Sequence, residues 1–462
     1  MTVNRRRRKK LEMLKEVLGP GELRLDERSL EEASGDKWMA SALPDAVAFP
    51  RSVRSVSKIA AFANKHGIPL TTRGAGYGYV GGCVPMDGGI ALSMRRLNRI
   101  KQIHERDFVA VVQPGVVTEV LQEAARNKGM FYPPDPASKA NCSIGGNVAT
   151  NAGGPACLKY GVTRDYVLGL EVVLANGSVV RTGGRVHKNK TGFDLTRLMV
   201  GSEGMLGIVT EVTLKLLPLP PFRACISVGL ENTKAATDTI ARIFDAGLLP
   251  CALEVADAFT LAATRERTKS RLLDGCQAHL IVELDGQEKS VRNELAALVK
   301  LVRRAEPLFV RKAFGSEACE TIWALRREFS YSLRDTGLRK LNEDIVVPRG
   351  RLGDLFALGK KLQRKHAIPI ACFGHAGDGN IHVNVMVDDA DGEQVERSHA
   401  VLDELFSKIL EWEGAITGEH GIGLAKKPWW DKAVSRELNE LHRTIKAALD
   451  PQGILNPGKF LD

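Results

Sequence analysis

The stretch TTRGAGYGYVGGCVP, residues 71–85, places Gly76, Gly78 and Gly81 in the spacing GxGxxG that is typical of dinucleotide-binding loops. In a Rossmann domain that loop opens directly into a helix whose N-terminus faces the pyrophosphate. Here Pro85 and two more glycines follow, which cannot propagate a helix. The acidic residue expected about 20 positions later is also missing. The loop therefore predicts close approach of backbone amides to a phosphate, but no Rossmann domain.

Two further glycine-rich loops follow in the same part of the chain. They are PPDPASKANCSIGGNVATNAGGP at residues 133–155 and GSEGMLGIVT at residues 201–210. A single loop of this kind is most simply an ordinary turn, but three in one module favour a cradle for one long, charged ligand. Arg73 adds a positive charge beside the first loop.

The composition is that of an ordinary folded protein. The 462 residues include 44% hydrophobic and 26% charged side chains, with a net charge of +10. The eight cysteines form no CxxC pair, so neither a zinc ribbon nor a cysteine-ligated iron–sulfur cluster is encoded. Free thiols in a reducing cytoplasm are expected. No apolar run reaches the roughly 18 residues that span a bilayer, and no basic–aromatic interleaving indicates nucleic-acid binding.

The tract RRRRKK, residues 5–10, supplies six of the positive charges. The residues after it, LEMLKEVLG, are amphipathic and are not the apolar core of a signal peptide. Such a tract can contact an acidic partner or a membrane surface, or it can be a solvated, mobile end, which is the more common case. We expect a mobile end on a cytoplasmic protein, with peripheral attachment at the inner membrane surface left open.

A second distinctive stretch is CFGHAGDGNIHVNV, residues 372–385, which predicts two short strands around a tight turn. Alternation puts His382 and Asn384 on one face of the second strand, and Phe373 and His375 share that face from the first strand. The two imidazoles would then face each other across a hairpin, which suits a metal or an anionic substrate. The alternative is a pair of hydrogen-bonded histidines near a turn.

The order of the motifs is similar to that of a known family. RGAGYGYVGG, PPDPAS, SIGGNVATNAGG and GSEGMLGIVTE resemble the FAD-binding domain of the vanillyl-alcohol oxidase/PCMH-type flavoprotein superfamily. GHAGDGNIH, GEHGIG and LDPQGILNPGK resemble its D-2-hydroxyacid dehydrogenase branch, and most closely the FAD subunit of glycolate oxidases. The likeness covers residues 44–462.

The resemblance implies an α+β fold in which a PCMH-type FAD-binding domain is joined to an α+β cap, or substrate, domain. We predict a helical, basic N-terminal segment at 1–43, the FAD-binding domain at 44–220, and the cap with the histidine hairpin at 221–417. A C-terminal segment at 418–462 is expected to fold back and complete the FAD domain.

The same resemblance implies the residues that hold FAD. They are Arg73, Gly74, Ala75, Gly76 and Gly78 at the pyrophosphate; Pro134, Asp135, Ser138, Gly145, Gly146, Asn147 and Asn151 on the flavin side; Gly201, Glu203, Gly207, Ile208 and Val209 on the nucleotide side; and Asn456, which reaches the flavin from the C-terminus. Many members of the superfamily link FAD covalently through a histidine in the first loop. Tyr77 and Tyr79 stand in this loop and no histidine does, so we expect non-covalent FAD.

Two imidazoles and a carboxylate suit a divalent ion such as Zn²⁺, Mn²⁺ or Fe²⁺. The resemblance implies His375, His382 and Glu419 as the metal ligands and His420, in the motif GEHGIG, as the catalytic base. A structural turn that places His420 without chemistry, and a site without metal, are the alternatives.

The segment WALRREFSYSLR, residues 323–334, resembles the family's helix that carries an arginine for the substrate carboxylate, because a guanidinium fork matches a carboxylate bidentately. Arg326 is the first candidate and Arg327 the second, and either could instead belong to a solvated helix face. Relatives that take longer diacids carry a lysine at the position of Asn342, whereas here the lysine is Lys340. This departure favours smaller hydroxy acids.

These implications predict an FAD-dependent enzyme that oxidises a D-2-hydroxy acid, of the glycolate or D-lactate type, to the 2-oxo acid by hydride transfer to flavin N5. One alternative is a flavin electron-transfer subunit of a multi-subunit glycolate oxidase that is inactive alone, and another is a non-catalytic protein with this fold. Because the chain lacks a cluster motif, the electrons must leave to another acceptor: iron–sulfur and second flavin subunits, a quinone or a cytochrome.

Overall fold

The computed structural model describes residues 5–461, and the chain divides into two compact units. The first unit comprises residues 5–153, 162–219 and 419–461, and the second comprises 154–161 and 220–418. The C-terminal segment from Glu419 therefore belongs to the same unit as the first and third glycine loops and most of the second.

Short strands build the sheets of the first unit. They are β1 (Leu23–Arg24), β2 (Ala46–Ala48), β3 (Leu70–Arg73), β4 (Ile90–Ser93), β5 (Ile100–His104), β6 (Val109–Val112), β7 (Met130–Phe131), β8 (Val167–Val173), β9 (Val179–Gly183), β10 (Ile208–Lys215) and β11 (Leu217–Pro218). One sheet has the order β1–β2–β4–β3, with β4 parallel to both of its neighbours. Another, antiparallel, has the order β5–β6–β10–β8–β9, and β7 pairs with β11.

The helices up to residue 199 are α1 (Arg5–Val17), α2 (Glu27–Glu32), α3 (Val53–His66), α4 (Thr118–Arg126), α5 (Ile144–Thr150), α6 (Cys157–Tyr160), which belongs to the second unit, and α7 (Leu195–Met199). Helix α3 illustrates how local sequence sets these bounds. The Ser52 hydroxyl caps its N-terminus by accepting from the Ser55 N–H, and Gly67 ends it in the left-handed region at φ 59°. Its buried side chains recur at helical spacing and pack into the core.

The N-terminal basic helix is packed against the core, so the expectation of a mobile end is wrong for the described residues. Leu11 and Leu14 of α1 are fully buried in the core that contains β3 and β4. Arg7 forms an ion pair with Asp45 at 2.7 Å. The apolar face of the helix therefore decides its position, and the charges lie on its other side. Residues 1–4, and the side chains of the next two arginines, lie outside the described part of the chain.

The second unit is built on one antiparallel sheet, here named the cap sheet. Its strands are β12 (Phe222–Leu230), β13 (Ala252–Asp257), β14 (Ala278–Gly286), β15 (Phe309–Phe314), β16 (Arg339–Val346), β17 (Ile370–His375) and β18 (Asn380–Val387), in the order β15–β12–β14–β13–β17–β18–β16. Its helices are α8 (Thr233–Asp245), α9 (Ala258–Thr268), α10 (Glu288–Val302), α11 (Ser316–Arg334), α12 (Leu352–His366) and α13 (Gly392–Glu411). Helices α9 and α11 share an apolar cluster with Phe373 of β17, whereas α12 approaches Cys372 on the opposite face.

Helices α14 (Lys427–Ala433) and α15 (Arg436–Leu449) return the chain to the first unit. Strands β8 and β9 form a hairpin across the Asn176–Gly177 turn, with Gly177 at φ 87°. Among the described residues, every helix is either too short or too polar to cross a membrane.

Candidate functional site

The first glycine loop leaves the end of β3 at Arg73 and is packed so closely that side chains would not fit. A Cβ on Gly74 would approach the Ser143 hydroxyl oxygen to 2.6 Å, and one on Gly145 would approach Pro114 to 2.5 Å. The Arg73 guanidinium lies along the loop, where it donates to the Cys83 sulfur at 3.2 Å. The first and second loops are thus brought together with their backbones exposed to one another, as a cradle for a phosphate requires.

Helix α5 and its C-cap Asn151 carry four of the seven residues predicted on the flavin side. It begins after Ser143, whose hydroxyl accepts from the Gly146 N–H, and it ends at Asn151 in the left-handed region. The side chain of Asn147 is buried and donates to the Thr118 hydroxyl at 2.7 Å. The Asn151 side chain accepts from the Arg164 N–H at 2.8 Å. These two amides hold the loop itself, so a cofactor contact by either of them stays a prediction.

Pro134, Asp135 and Ser138 lie in the preceding turn region. The Pro134 carbonyl accepts from the Gln122 side chain at 2.9 Å, and the Ser138 carbonyl accepts from the Cys142 N–H at 2.8 Å. The backbones of Pro134 and Ser138 are fixed by these bonds. Their direct contacts with FAD stay a prediction.

The third loop lies beside the second. The Gly201 N–H donates to the Val148 carbonyl at 2.9 Å, and the Glu203 N–H donates to the Ala149 carbonyl at 2.8 Å. Gly207 has no room for a Cβ, which would approach Val172 to 2.5 Å. The last two predicted residues, Ile208 and Val209, begin β10, and Ile208 is a core side chain. Contacts of these residues with a nucleotide stay a prediction.

The residue that follows the motif GEHGIG is hydrogen-bonded to the first glycine loop. The Leu424 N–H donates to the Val80 carbonyl at 2.7 Å. The rings of Tyr79 and His420 lie 5.3 Å apart between centroids, tilted by 31°. The first unit by itself therefore holds the predicted base His420 next to the first glycine loop.

Polar atoms at the first loop show that the residues present fit a cofactor such as FAD. The Asn456 amide nitrogen donates to the carbonyls of Gly82 and Glu203, at 2.9 and 2.7 Å. Its carbonyl oxygen is buried and makes no hydrogen bond within residues 5–461, and neither does the buried hydroxyl of Thr72, next to Arg73. Buried polar atoms normally have a partner. A polar ligand in the glycine cradle would supply it.

The histidine hairpin forms as the sequence predicts. Strands β17 and β18 are antiparallel, with Phe373 opposite His382 and His375 opposite Asn380, and both strands are buried along their length. The imidazoles of His375 and His382 lie 5.5 Å apart between centroids, at 80° to each other. Gly379, at φ 82°, allows the tight turn between them.

A buried carboxylate orients the first imidazole. Glu254 on β13 accepts from His375 Nδ1 through one oxygen and from Arg326 Nε through the other, both at 2.5 Å. Burial raises the pKa of Glu254, but the charges and hydrogen bonds of Arg326 and His375 outweigh it and lower the pKa to about 2. Because Nδ1 bonds to Glu254, a metal would bind His375 through Nε2.

A second buried carboxylate, Asp344 on β16, acts on the other two predicted ligands. Its Oδ1 lies 4.0 Å from His382 Nδ1. Its Oδ2 accepts from the Gly418 N–H at 2.9 Å, and Glu419 is the next residue. His375 and His382, both in the second unit, offer ring nitrogens within 4.8 Å of each other, and Glu419 follows Gly418 directly in the chain. Two imidazoles and a carboxylate are a donor set that suits a divalent ion, so the residues present fit a metal.

The two arginine candidates differ sharply in their surroundings. Arg326 is buried in α11, packs over the rings of Phe329 and Phe373, and uses only Nε in a hydrogen bond within the described residues. Its two terminal nitrogens are thus available for a carboxylate. Arg327 lies on the solvent side, with 49% of its side chain exposed, and pairs with Glu320. The geometry therefore favours Arg326.

Lys340 and Asn342, the two positions compared with the lysine of diacid-specific relatives, lie on β16 of the cap sheet. Lys340 donates to the Ser330 hydroxyl at 2.8 Å, and burial lowers its pKa to about 8. The Asn342 carbonyl oxygen is buried without a partner in the described part of the chain.

Glu254 and Asp344 were missed by the sequence reasoning. The only signal was the presence of acidic residues inside two strands, in ALEVAD and in LNEDIV. An acid in a buried strand needs a charged or hydrogen-bonding partner, but the sequence does not say which one.

Two family models match the chain: "FAD binding domain" over residues 44–183 and "FAD linked oxidases, C-terminal domain" over residues 219–460. Glycolate oxidase subunit GlcD of Bacillus subtilis is 40% identical over 91% of this chain and 89% of its own length. D-lactate dehydrogenase of Anaerostipes hadrus is 34% identical over 91% of this chain and 90% of its own.

Solved structures agree on the fold. p-Cresol methylhydroxylase superposes with a TM-score of 0.81 at 19% identity, covering 99% of this chain and 98% of its own. Alkyldihydroxyacetonephosphate synthase superposes with a TM-score of 0.76 at 19% identity, covering 98% and 86%. The resemblance read from the motifs and the PCMH-type α+β fold are thereby confirmed. The chain belongs to the family of FAD-linked oxidases and is an FAD-dependent oxidoreductase.

Proposed function

We propose that the protein oxidises a small D-2-hydroxy acid, of the glycolate or D-lactate type, to the 2-oxo acid. The names of the two relatives supply the substrate class. The observation that carries the proposal is the buried chain His375–Glu254–Arg326, in which one carboxylate orients both an imidazole and a guanidinium. A 2-hydroxy acid presents the matching pair of groups, a hydroxyl and a carboxylate on adjacent carbons.

Arg326 binds the substrate carboxylate in this proposal. Its terminal nitrogens form a planar fork, and Glu254 fixes the orientation of that fork through Nε. The rings of Phe329 and Phe373 beside it exclude water and strengthen the ion pair. The neutral amide of Asn342, in place of the lysine expected of diacid enzymes, favours a short monocarboxylate.

His420 takes the proton of the substrate hydroxyl at a ring nitrogen. It is half-buried and lies against Tyr79 at the first glycine loop, which restricts its ring orientation. FAD, held non-covalently in the glycine cradle, supplies the hydride acceptor when bound. A divalent metal held by His375, His382 and Glu419 would polarise the hydroxyl as a Lewis acid.

Electrons leave the reduced enzyme to a separate acceptor in this proposal, because the sequence encodes no CxxC-type cluster site. A partner iron–sulfur or second flavin subunit, a quinone or a cytochrome would each serve. Each of these acceptors is compatible with an enzyme that acts in the cytoplasm and contacts the inner membrane surface through its acceptor.

The test is anaerobic reduction of the bound flavin by the lone chain. Glycolate or D-lactate should bleach the flavin, L-lactate should not, and a chelator should remove the reaction until Zn²⁺ or Mn²⁺ is restored. His420→Gln should slow reduction by about 10²- to 10⁴-fold, whereas His399→Gln, on the exposed surface of α13, should not. Bleaching that ignores the chelator would remove the metal from the proposal. Failure of every acid to bleach the bound flavin would favour a subunit that is inactive alone.

A further inference from the structure

Glu203 in the motif GSEG has an unusual backbone and a fully engaged side chain. It is buried, and its φ of 50° is in the left-handed region that non-glycine residues seldom adopt. Its N–H donates to the Ala149 carbonyl, and its carbonyl accepts from the Asn456 side chain. A strained conformation persists only where surrounding contacts fix it, and here three segments of the chain do so.

The carboxylate of Glu203 accepts from two consecutive backbone N–H groups of the motif GEHGIG. These are the N–H groups of Ile422 at 2.8 Å and Gly423 at 2.9 Å. A Cβ on Gly421 would come within 2.7 Å of Glu203 Oε1, so the carboxylate lies directly against the turn. Both carboxylate oxygens are thus bound to the two residues that follow the turn after His420.

The direction of these bonds matters. A carboxylate is acceptor-only and can satisfy two N–H groups at once, whereas an amide in its place offers one oxygen and one N–H. Charge-assisted bonds of this kind are about twice as strong as neutral ones. Glu203 therefore holds the GEHGIG backbone more rigidly than a neutral side chain of the same size could.

We propose that Glu203 is a positioning residue that holds His420 in place through the backbone of Ile422 and Gly423. This assigns its side chain to the base rather than to the nucleotide, which the sequence resemblance had suggested. The inference rests on the proposed function, because it takes His420 to be the base.

The test is the FAD-loaded enzyme with Glu203→Gln. The rate of flavin reduction at saturating substrate should fall about 10- to 100-fold, since a small displacement of a reacting group costs about this much. The substrate concentration for half-maximal rate and the Kd for FAD should each change less than about threefold. The matched control is Glu211→Gln on β10, a carboxylate paired with Lys101 and Arg181, which should leave the rate unchanged.

A double-mutant cycle with His420→Gln separates positioning from a general structural role. If Glu203 acts through His420, adding Glu203→Gln to His420→Gln should slow reduction less than about twofold further. Equal losses in both backgrounds, or a weaker Kd for FAD with a normal rate in the FAD-saturated enzyme, would overturn the proposal.

Two further outcomes are distinguishable. If His420→Gln alone reduces flavin at the normal rate, the proposed function loses its base, whatever Glu203 does. If Glu203→Gln does not fold, Gly421→Ala perturbs the same contact from the other side. It should then give the same loss of rate, absent when His420 is already replaced, and a normal rate would contradict the proposal.

Discussion

Replacing Glu254 with Gln should weaken metal binding and stability together. Glu254 is 1% exposed and links Arg326 to His375. Its amide replacement keeps one acceptor oxygen, so one of the two bonds is lost and the Arg326 charge becomes a buried charge without a counter-ion. Breaking a buried ion pair from one side costs about 3–5 kcal/mol.

The lowered pKa of Glu254 gives a similar value for its contribution to stability and predicts how that contribution changes with pH. The pKa is lowered from 4.5 to about 2 in the folded state. A carboxyl with a depressed pKa contributes stability above its unfolded pKa, about 3 kcal/mol here, and this contribution is lost as the pH falls from about 4.5 to about 2. The difference in unfolding free energy between the parent and Glu254→Gln should therefore shrink across that window.

The metal effect is measured separately. Without Glu254 the Nδ1–H of His375 loses its acceptor, and loss of such an outer partner typically lowers metal affinity 10- to 100-fold. Competition between the protein and a chelator for Mn²⁺ or Zn²⁺ measures it, and urea unfolding measures stability. Glu283→Gln is the matched control, because Glu283 is a buried cap-sheet carboxylate that pairs with Arg223 at 2.6 Å. It should destabilise the protein without changing metal affinity. Equal metal affinities for the two variants would refute the role of Glu254 in orienting His375.

Two further predictions follow from buried charges. Arg326→Lys should raise the KM for glycolate or D-lactate about tenfold or more, since a lysine cannot supply the bidentate fork; Arg327→Lys, on the exposed face, should change it less than twofold, and equal effects would contradict the assignment. Burial raises the pKa of Asp257 from 3.8 to about 6, so the folded state holds this proton more tightly and the parent loses stability as pH rises through that window. Relative to the parent, Asp257→Asn should gain up to about 3 kcal/mol between pH 4 and 6 in urea unfolding, and a flat difference would contradict the assigned burial.

The parts of the fold that the sequence predicted are those that local patterns determine. The GDGN turn and the alternation around it place His375 and His382 on one face, because strand periodicity is local information. The glycine loops are likewise readable, since close approach of backbones excludes side chains wherever it occurs. The N-terminal helix was different: its tract of charges suggested a mobile end, but Leu11 and Leu14 pack into the core. The burial of the apolar side chains that follow the basic tract determines where the helix lies, despite the charge of the tract.

The residues that orient the candidate site could not be predicted for a different reason. Glu254 meets its partners 72 and 121 positions away in the chain. Such pairings depend on the order of strands in the cap sheet, where β13 lies beside β17 although more than a hundred residues separate them. No periodicity or motif records that order. A buried acid in a strand indicates that a partner exists, and only the assembled sheet identifies it.

Glu203 shows that even a correctly recognised motif leaves a residue's role open. The motif resemblance placed it with the nucleotide, and its neighbours Gly201 and Gly207 do contribute only backbone to their loop. The side chain of Glu203, however, is committed to Ile422 and Gly423, more than 200 residues later. The glycines and the glutamate of one short motif therefore have different roles. The glycines allow two loops to approach closely, and the glutamate binds two N–H groups beside the proposed base. If that division is right, exchanging Glu203 affects the rate of reduction and leaves FAD affinity almost unchanged.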